Sequence, residues 1–579
     1  MTTDSILPMF RDMLAETPER PLLTFVGEKG QDEDTLTVAR LAAGAESVVE
    51  SLREWGIRPG ARVVLVYPPS LDFVVAMVGC LLAGVVPVPV YPPNPVKPGN
   101  DLRGFQAIVD NCGAEAALTN AFYDRTRTLG SVTGLLGRDR PKWPKIPWYR
   151  TDRRSKPARE VIWHEPASAD EPAFLQYTSG STGTPKGVII THGNLAAEVR
   201  ANAADLGLDE HTRGVFWVPQ YHDLGLISVI LSTVAGNGHN RIMSPLTFLQ
   251  RPAVWFEVMS RIGATHTAAP NFAFDLAVRR TTKEQRRGWA LRTLRVVMSA
   301  AEPIRVSTRD AFFDAFSISG LRRDSFYPAY GLAEHTVSVT MGGSRTLRIG
   351  KAALEDGRAV LADGSDTPAV TVVGCGHVTK PGARVRIVDP DTHRPCADGE
   401  VGEIWVRSAT KALGYFGLEV ETKETFQAMV DGDDNEYLRT GDLGFFHEGE
   451  LFVTGRLKDL IILGGRNLYP QDVENSLREA HPLVRPGGIA AFAVDGEVGE
   501  RVVVFVECRE DKVSETEARG VVEAVRRRLY DDHQLDSPVV VVGRSGLVRK
   551  TTSGKVRRRA CREDYLSQSG GAILVAAGR

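Results

Sequence analysis

The run "FVVAMVGCLLAGVVPVPV", residues 73–90, holds eighteen uncharged and mostly apolar residues. By length alone it is a candidate membrane span. Gly84 divides it, however, and Pro87 and Pro89 would break any helix continued past that point. A buried helix turning into a buried strand fits both facts, and a strand buried on both faces needs helices on either side of its sheet. Elsewhere, short β-branched runs such as "RVVLVY" (62–67), "LRVVMSA" (294–300) and "EIWVRS" (403–408) alternate with amphipathic stretches. The expected fold class is therefore α/β, with helix-covered sheets. At 579 residues the chain needs more than one core.

Organisation follows from local pattern. Ile6, Leu7, Phe10, Met13 and Leu14 have helical spacing in place of a signal pattern. The basic, proline-rich segment 140–160 reads as a surface loop. Residues 440–455 read as a hairpin turning on His447-Glu448-Gly449, and 456–480 as strand, glycine turn and helix. A small α+β domain, 456–579, is expected after a hinge near Asp459, ending in a frayed or loosely docked tail from 567. Six scattered cysteines without a C-x-x-C pair predict reduced thiols and a cytoplasmic address. The formal net charge of −2 gives no global field for nucleic acid or an anionic membrane. Any acidic partner must meet a local patch, for which the small domain offers Arg526, Arg527, Arg528, Arg549, Lys550, Arg557, Arg558 and Arg559.

The chemistry-bearing strings come in order. "YTSGSTGTPKGV" (177–188) joins small residues, hydroxyls and one lysine, a composition that can hold phosphate by backbone N–H groups. It is not a Walker A loop, because no hydroxyl residue follows Lys186. "YGLAE" (330–334), "RTGDL" (439–443), "GRLKD" (455–459) and "TTSGK" (551–555) follow it. Taken singly, each has a structural reading: a connector, a turn, a solvated basic face.

As a series they resemble the adenylate-forming superfamily. "PQYHDLGLI" (219–227), "APNFAFDLAVRR" (269–280), "SAAEPIR" (299–305) and "FYPAYGLAEHT" (326–336) make the chain look like a fatty acyl-AMP ligase. The resemblance implies a large multi-subdomain adenylation region, 1–455, and a small mobile C-terminal domain, 456–579, closing over ATP and a fatty acid. It implies that Thr178, Ser179, Gly180, Ser181, Thr182, Gly183, Thr184 and Lys186 steady the β- and γ-phosphates. Ala301, Glu302, Tyr330 and Gly331 would border adenine, with Tyr330 as its stacking surface. Asp442 would hold the ribose diol, and Arg456 the ribose or phosphates. Glu334, helped by Thr182, would bind Mg²⁺. Lys555 would bridge the attacking carboxylate and the α-phosphate, and His222 would line the junction of acyl chain and phosphate. Asn271 and Phe274 would border the acyl tunnel.

Two departures stand out. Ala300 occupies a position where the family often has glycine, crowding the adenine edge, and the double glycine of "LGGRN" (463–467) is closer to CoA ligases. The resemblance implies acyl-AMP formation with release of pyrophosphate, then transfer to the phosphopantetheine thiol of an acyl carrier protein. The alternatives are a fatty acyl-CoA ligase and a non-catalytic acyl- or nucleotide-binding relative. Residues 344–373, with turns at Asp356-Gly357 and Asp363-Gly364, form an insertion that favours the first. Lys555 and Glu334, both present, disfavour the last.

Overall fold

In the computed structural model, Leu71–Ala83 is a buried helix closed by Gly84 at φ 67, a left-handed position that glycine occupies without strain, and the strand Val86–Pro89 follows. The structure describes residues 4–95, 99–133, 143–152, 161–178, 185–365, 367–463, 466–495, 500–510, 512–551, 554–568 and 572–576. That strand joins Arg62–Leu65, Ala116–Thr119 and Trp148–Arg150 in a parallel sheet. The N-terminal helix Leu7–Glu16 buries Leu7, Phe10 and Met13, as its spacing predicts.

Part of the expected loop 140–160 is in fact structure. Trp148–Arg150 is the sheet's edge strand, and Trp148 stacks on Tyr123 at 6.4 Å while meeting Trp143 edge-on at 5.6 Å. Two tryptophans bury enough apolar surface to dock a segment whose lysines and prolines suggest exposure. The loop's other residues, 140–142 and 153–160, lie outside the described set.

The largest sheet has eight strands. Six are parallel: Phe326–Tyr330, Val296–Ser299, His266–Ala269, Arg213–Phe216, His239–Met243 and Pro21–Val26. A smaller antiparallel region pairs Arg384–Val388, Gly402–Arg407, Glu436–His447 and Glu450–Arg456. Its hairpin turns on Glu448 and Gly449, both at positive φ. The insertion folds as a hairpin, Thr346–Gly350 with Ala369–Val373, carrying the short helix Lys351–Glu355. Gly357 and Gly364 take the positive φ that its two turns require. Ile349 and Leu354 are buried against Leu443, Phe445, Phe452 and Tyr469, so the insertion also supplies core.

Beyond a single 3₁₀ turn, Leu457–Asp459, the chain builds a second sheet with its own core: Val484–Asp495, Glu500–Cys508, Val539–Gly543 and Ala572–Ala576, covered by Glu515–His533. The tail is not frayed over 572–576, because it pairs antiparallel with Val540–Gly543, with a register shift between Val542 and Gly543. Ile573 and Leu574 are partly buried and Val575 is exposed, a pattern too short to separate strand from coil. No helix among the described residues is long and apolar enough to cross a membrane.

Four of the eight residues of the expected basic patch pair with carboxylates. Arg528 pairs with Asp532 at 2.8 Å, Arg549 with Asp564 at 2.5 Å and Arg559 with Glu563 at 3.2 Å. Arg558 is half-buried and forks between Glu474 and Asp459, 2.8 Å from each. It ties the Lys555 segment to the 3₁₀ turn and offers no free charge for docking. Arg558→Met should therefore leave two partly buried carboxylates without their cation, lowering stability by about 2 kcal/mol. Thermal unfolding checks this, and an unchanged melting temperature would show that water replaces the guanidinium at no cost.

Candidate active site

In a parallel sheet covered by helices, the strand ends on one side open toward loops, and ligands sit outside the carboxyl ends. The sequence motifs emerge at those ends. His266–Ala269 runs into Pro270 and the helix Asn271–Arg280, Val296–Ser299 into Ala301 and Glu302, and Phe326–Tyr330 into Gly331 and Glu334. Ala301 has φ 72, uncommon for a residue with a Cβ and a form of strain that concentrates at functional sites. At Gly331 an added Cβ would lie 1.8 Å from the Val337 carbonyl, so this turn closes only around glycine.

Tyr330 donates from its hydroxyl to Asp442 Oδ2 at 2.8 Å, and Arg456 Nε donates to Asp442 Oδ1 at 2.9 Å. Asp442 and Arg456 face each other across the hairpin that leads to the small domain. The Asp442 charge, against the opposing effect of burial, holds the Arg456 guanidinium well above its ordinary value. Burial, reinforced by Asp442, raises the Tyr330 phenol far above 10.0.

Glu334 sits in a short 3₁₀ turn and accepts a hydrogen bond from the Tyr415 hydroxyl at 2.9 Å. Burial pushes its carboxyl above the ordinary 4.5. Lys186 lies over the same tyrosine ring, 4.7 Å from its centroid. Beneath the turn, buried His335 bonds the Ser338 carbonyl at 2.7 Å and the Ser408 hydroxyl at 2.6 Å. Lys380 donates to Glu198, to the Ser338 carbonyl and to Thr410 Oγ1. This buried network fixes the Glu334 turn from below.

His222 pairs through Nδ1 with Asp223, the residue that caps a π-helix, Leu224–Leu231. Burial would raise the Asp223 carboxyl, but the charge and hydrogen bond of His222, then Lys555, hold it below 3.8. Lys555 follows Gly554 at φ 90 in a turn closed by Lys555 N to Thr551 Oγ1 at 3.0 Å. Its ammonium, in the combined field of Asp223, Asp442, Glu302 and Arg456, is lowered from 10.5 chiefly by burial. Glu302 accepts from the Phe272 backbone N–H, and burial raises its carboxyl. The small domain thus carries its lysine to the large sheet, and Arg478 pairs with Asp275 at 2.7 Å across the same seam.

Asn271 and Phe274 are both buried. "NFAFDLAV" lies in the helix Asn271–Arg280, and Phe274 packs into an aromatic core 4.8 Å from Phe312. Asn271 is buried, with Oδ1 accepting from Arg305 N at 3.0 Å and Nδ2 without a partner. A small cavity of about 30 Å³ lies between the large sheet and the π-helix, walled by Phe216, Leu224, Ala268 and Met298. Ser179, Gly180, Ser181, Thr182, Gly183 and Thr184 lie outside the described residues, between Thr178 on one strand and Lys186 on the next. Asp223, Tyr415 and the Glu198–Lys380 pair belong to the site although the motifs did not mark them; only Asp223 had a signal, its place beside His222.

Two groups set an expected pH profile. Activity that needs ionised Glu334 and protonated Lys555 should fall on the acid side above the ordinary carboxyl value of 4.5, and on the alkaline side below 10.5. A plot of kcat/KM against pH checks this, and Lys555→Arg should move the alkaline limb upward.

Residues 10–416 match the family described as AMP-binding enzyme, and 458–573 the Disco-interacting protein 2-like AMP domain. The medium-chain-fatty-acid–[acyl-carrier-protein] ligase JamA of Moorena producens is 37% identical over 555 residues, covering 94% of this chain and 92% of that protein. The long-chain-fatty-acid–AMP ligase FadD32 of Mycolicibacterium smegmatis is 33% identical over 589 residues, covering 94% and 91%. The solved fatty acyl-adenylate ligase of L. pneumophila, in complex with acyl adenylate and pyrophosphate, superposes with a TM-score of 0.73 at 33% identity over 99% of this chain and 98% of that one. The strand-end motifs and these full-length likenesses agree: the chain belongs to the AMP-binding enzyme family, in its fatty acyl-AMP ligase group.

Proposed function

We propose that this site activates a fatty acid with ATP and passes the acyl group to the phosphopantetheine thiol of an acyl carrier protein. The observation that carries the reading is the convergence of Lys555, Glu302, Asp223, Asp442 and Arg456, from both domains, on one rim of the parallel sheet. A carboxylate oxygen attacks the α-phosphorus, the α–β bridging bond breaks, and pyrophosphate leaves. Lys555 neutralises the meeting of two anions, the charge-stabilising role that a desolvated cation fills best. Asp442, an acceptor of two hydrogen bonds, is suited to a ribose diol, with Tyr330 beside it for adenine. The strand pair bearing Thr178 and Lys186 would present the intervening loop, with Thr182, to the departing phosphates.

Mg²⁺ fits one position. Glu334 is a desolvated carboxylate that accepts a hydrogen bond from the neutral Tyr415 phenol, so a cation is what would restore its charge. Among the described residues no group of three or more protein ligands gathers, which suits an ion held by one carboxylate, Thr182 and phosphate oxygens. The ion would spread the negative charge of the phosphates.

In the second step the thiol attacks the acyl carbon, AMP leaves, and the thiol proton is released. Rotation of the small domain about Asp459 would open the path. The insertion supports a carrier over CoA as acceptor, because it grips the small domain: Lys351 donates to the Asp532 carbonyl and lies 3.2 Å from His533, while Glu355 faces Arg466 at 3.5 Å. Deleting the insertion would uncover Phe445 and Phe452, so a point change tests it better. Lys351→Met should loosen this seam and allow acyl-CoA to form. A folded variant giving acyl-AMP but no acyl-CoA would place the exclusion in the thiol pocket. Six free cysteines accord with a cytoplasmic location.

The test of the whole reading is incubation with ATP, Mg²⁺ and a fatty-acid panel, resolving acyl-AMP, acyl-CoA and acylated carrier protein by mass spectrometry. Absence of acyl-AMP with every acid would overturn it.

A further inference from the structure

The helix Asn271–Arg280 presents one face to the small domain. Phe272, Asp275 and Arg279 follow at steps of three and four residues, so they line up along it. An added Cβ at Gly554 would lie 3.5 Å from the Phe272 ring, which places that ring under the turn carrying Lys555. One turn on, Asp275 accepts from Arg478 at 2.7 Å, and both side chains are partly buried. A further turn on, Arg279 walls an open cleft of about 500 Å³ with Arg485, Arg509 and Ser545 of the small domain. The seam is in contact at the lysine turn and opens beyond Asp275.

Charge along this seam is mostly of one sign. Arg279 and Arg305 stand on the large-domain side, and Arg478, Arg485 and Arg509 on the other. Burial lowers the Arg305 guanidinium, and the Arg478 charge lowers it further, against the pull of Glu302, Asp275 and Glu474. The other carboxylates nearby are committed. Glu474 takes the Arg558 fork at 2.8 Å, Glu302 accepts from the Phe272 N–H, and Glu507 accepts from the Gly546 and Val548 backbone. Asp275 is left to hold Arg478, with Arg279 3.9 Å from the same carboxylate oxygen.

We infer that Asp275 is a positioning residue: its bond to Arg478 holds the small domain where Lys555 meets the acid and ATP, and breaks before the thiol enters. The inference rests on the two-step reading above and names what sets the balance between the steps. Rotation about Asp459 carries Arg478 away from the helix, so the bond exists in one arrangement only. A contact shifts an equilibrium only by such a difference between the two states. Without the carboxylate, Arg279, Arg305 and Arg478 repel across the seam, and the arrangement that delivers Lys555 loses population.

The test measures both steps on one preparation: pyrophosphate exchange with the fatty acid, and single-turnover transfer from supplied acyl-AMP to pantetheine. In Asp275→Arg the ratio of adenylation to transfer should fall by about tenfold, the scale of coupling between charges in one network. Transfer itself should be as fast as in the wild type or faster. Combining Asp275→Arg with Arg478→Asp restores opposite charges across the seam and should recover most of the ratio. A ratio within one preparation does not depend on how much of it is folded. Should Asp275→Arg fail to fold, Asp275→Asn removes the charge at nearly constant size and should move the ratio the same way. Equal loss in both steps, an unchanged ratio, or a charge swap that recovers nothing overturns the inference while leaving fatty-acid activation intact. A wild type that forms no acyl-AMP, or passes no acyl group to the thiol, overturns the two-step reading beneath it.

Discussion

Lys555→Ala is expected to lower acyl-AMP formation by about 10²–10³-fold, the usual effect of removing one preorganised charge at a reacting centre. Transfer from supplied acyl-AMP to a thiol should persist, because the anhydride is already made and the α-phosphate no longer meets a second anion. The geometry makes the separation sharp. Lys555 reaches the site on a turn of the small domain, held by its own Thr551 and by Arg558, whose fork to Glu474 and Asp459 does not depend on the lysine side chain. Pyrophosphate exchange and single-turnover transfer, measured on the same preparation, check it. Equal loss in both steps would show that the lysine holds the domain arrangement and not the charge.

Gly331→Ala should be nearly as damaging through the backbone of its turn alone. The added methyl would sit 1.8 Å from the Val337 carbonyl, which is backbone and cannot rotate away. The turn from Tyr330 to Val339, closed by Val339 N to the Tyr330 carbonyl at 2.8 Å, must then open and carry Glu334 with it. A displacement of about 1 Å at a reacting centre can cost about 10²-fold in rate. Overpacking should also lower stability by about 1–3 kcal/mol. Adenylation rate and thermal unfolding together check this, and a rate within threefold of wild type would show that the turn adapts elsewhere.

Local signals carried much of the architecture. The Gly84 break and the Glu448-Gly449 turn each depend on residues a few positions apart, where backbone preference decides. Tyr330, Glu334, Asp442, Arg456 and Lys555 were legible only as a recurring series of strings, since each alone has an ordinary structural reading. What escaped was set by contacts distant in sequence. Lys380 finds Glu198 across 182 positions, and Tyr415 finds Glu334 across 81. No local periodicity encodes either pair. Trp148 and the 572–576 strand were missed because short segments take their structure from the sheet edge that receives them.

The central claim is that a carboxylate oxygen of the fatty acid attacks the α-phosphorus of ATP at this rim. It can be read from one isotope. Fatty acid carrying heavy oxygen at both carboxyl positions is incubated with the enzyme, ATP and Mg²⁺, and the acyl group is then released to hydroxylamine. The account predicts AMP containing one heavy oxygen, because the attacking atom stays on phosphorus when the acyl carbon is taken. Pyrophosphate should remain unlabelled. Unlabelled AMP, or label in inorganic phosphate with ADP as the nucleotide product, would contradict it.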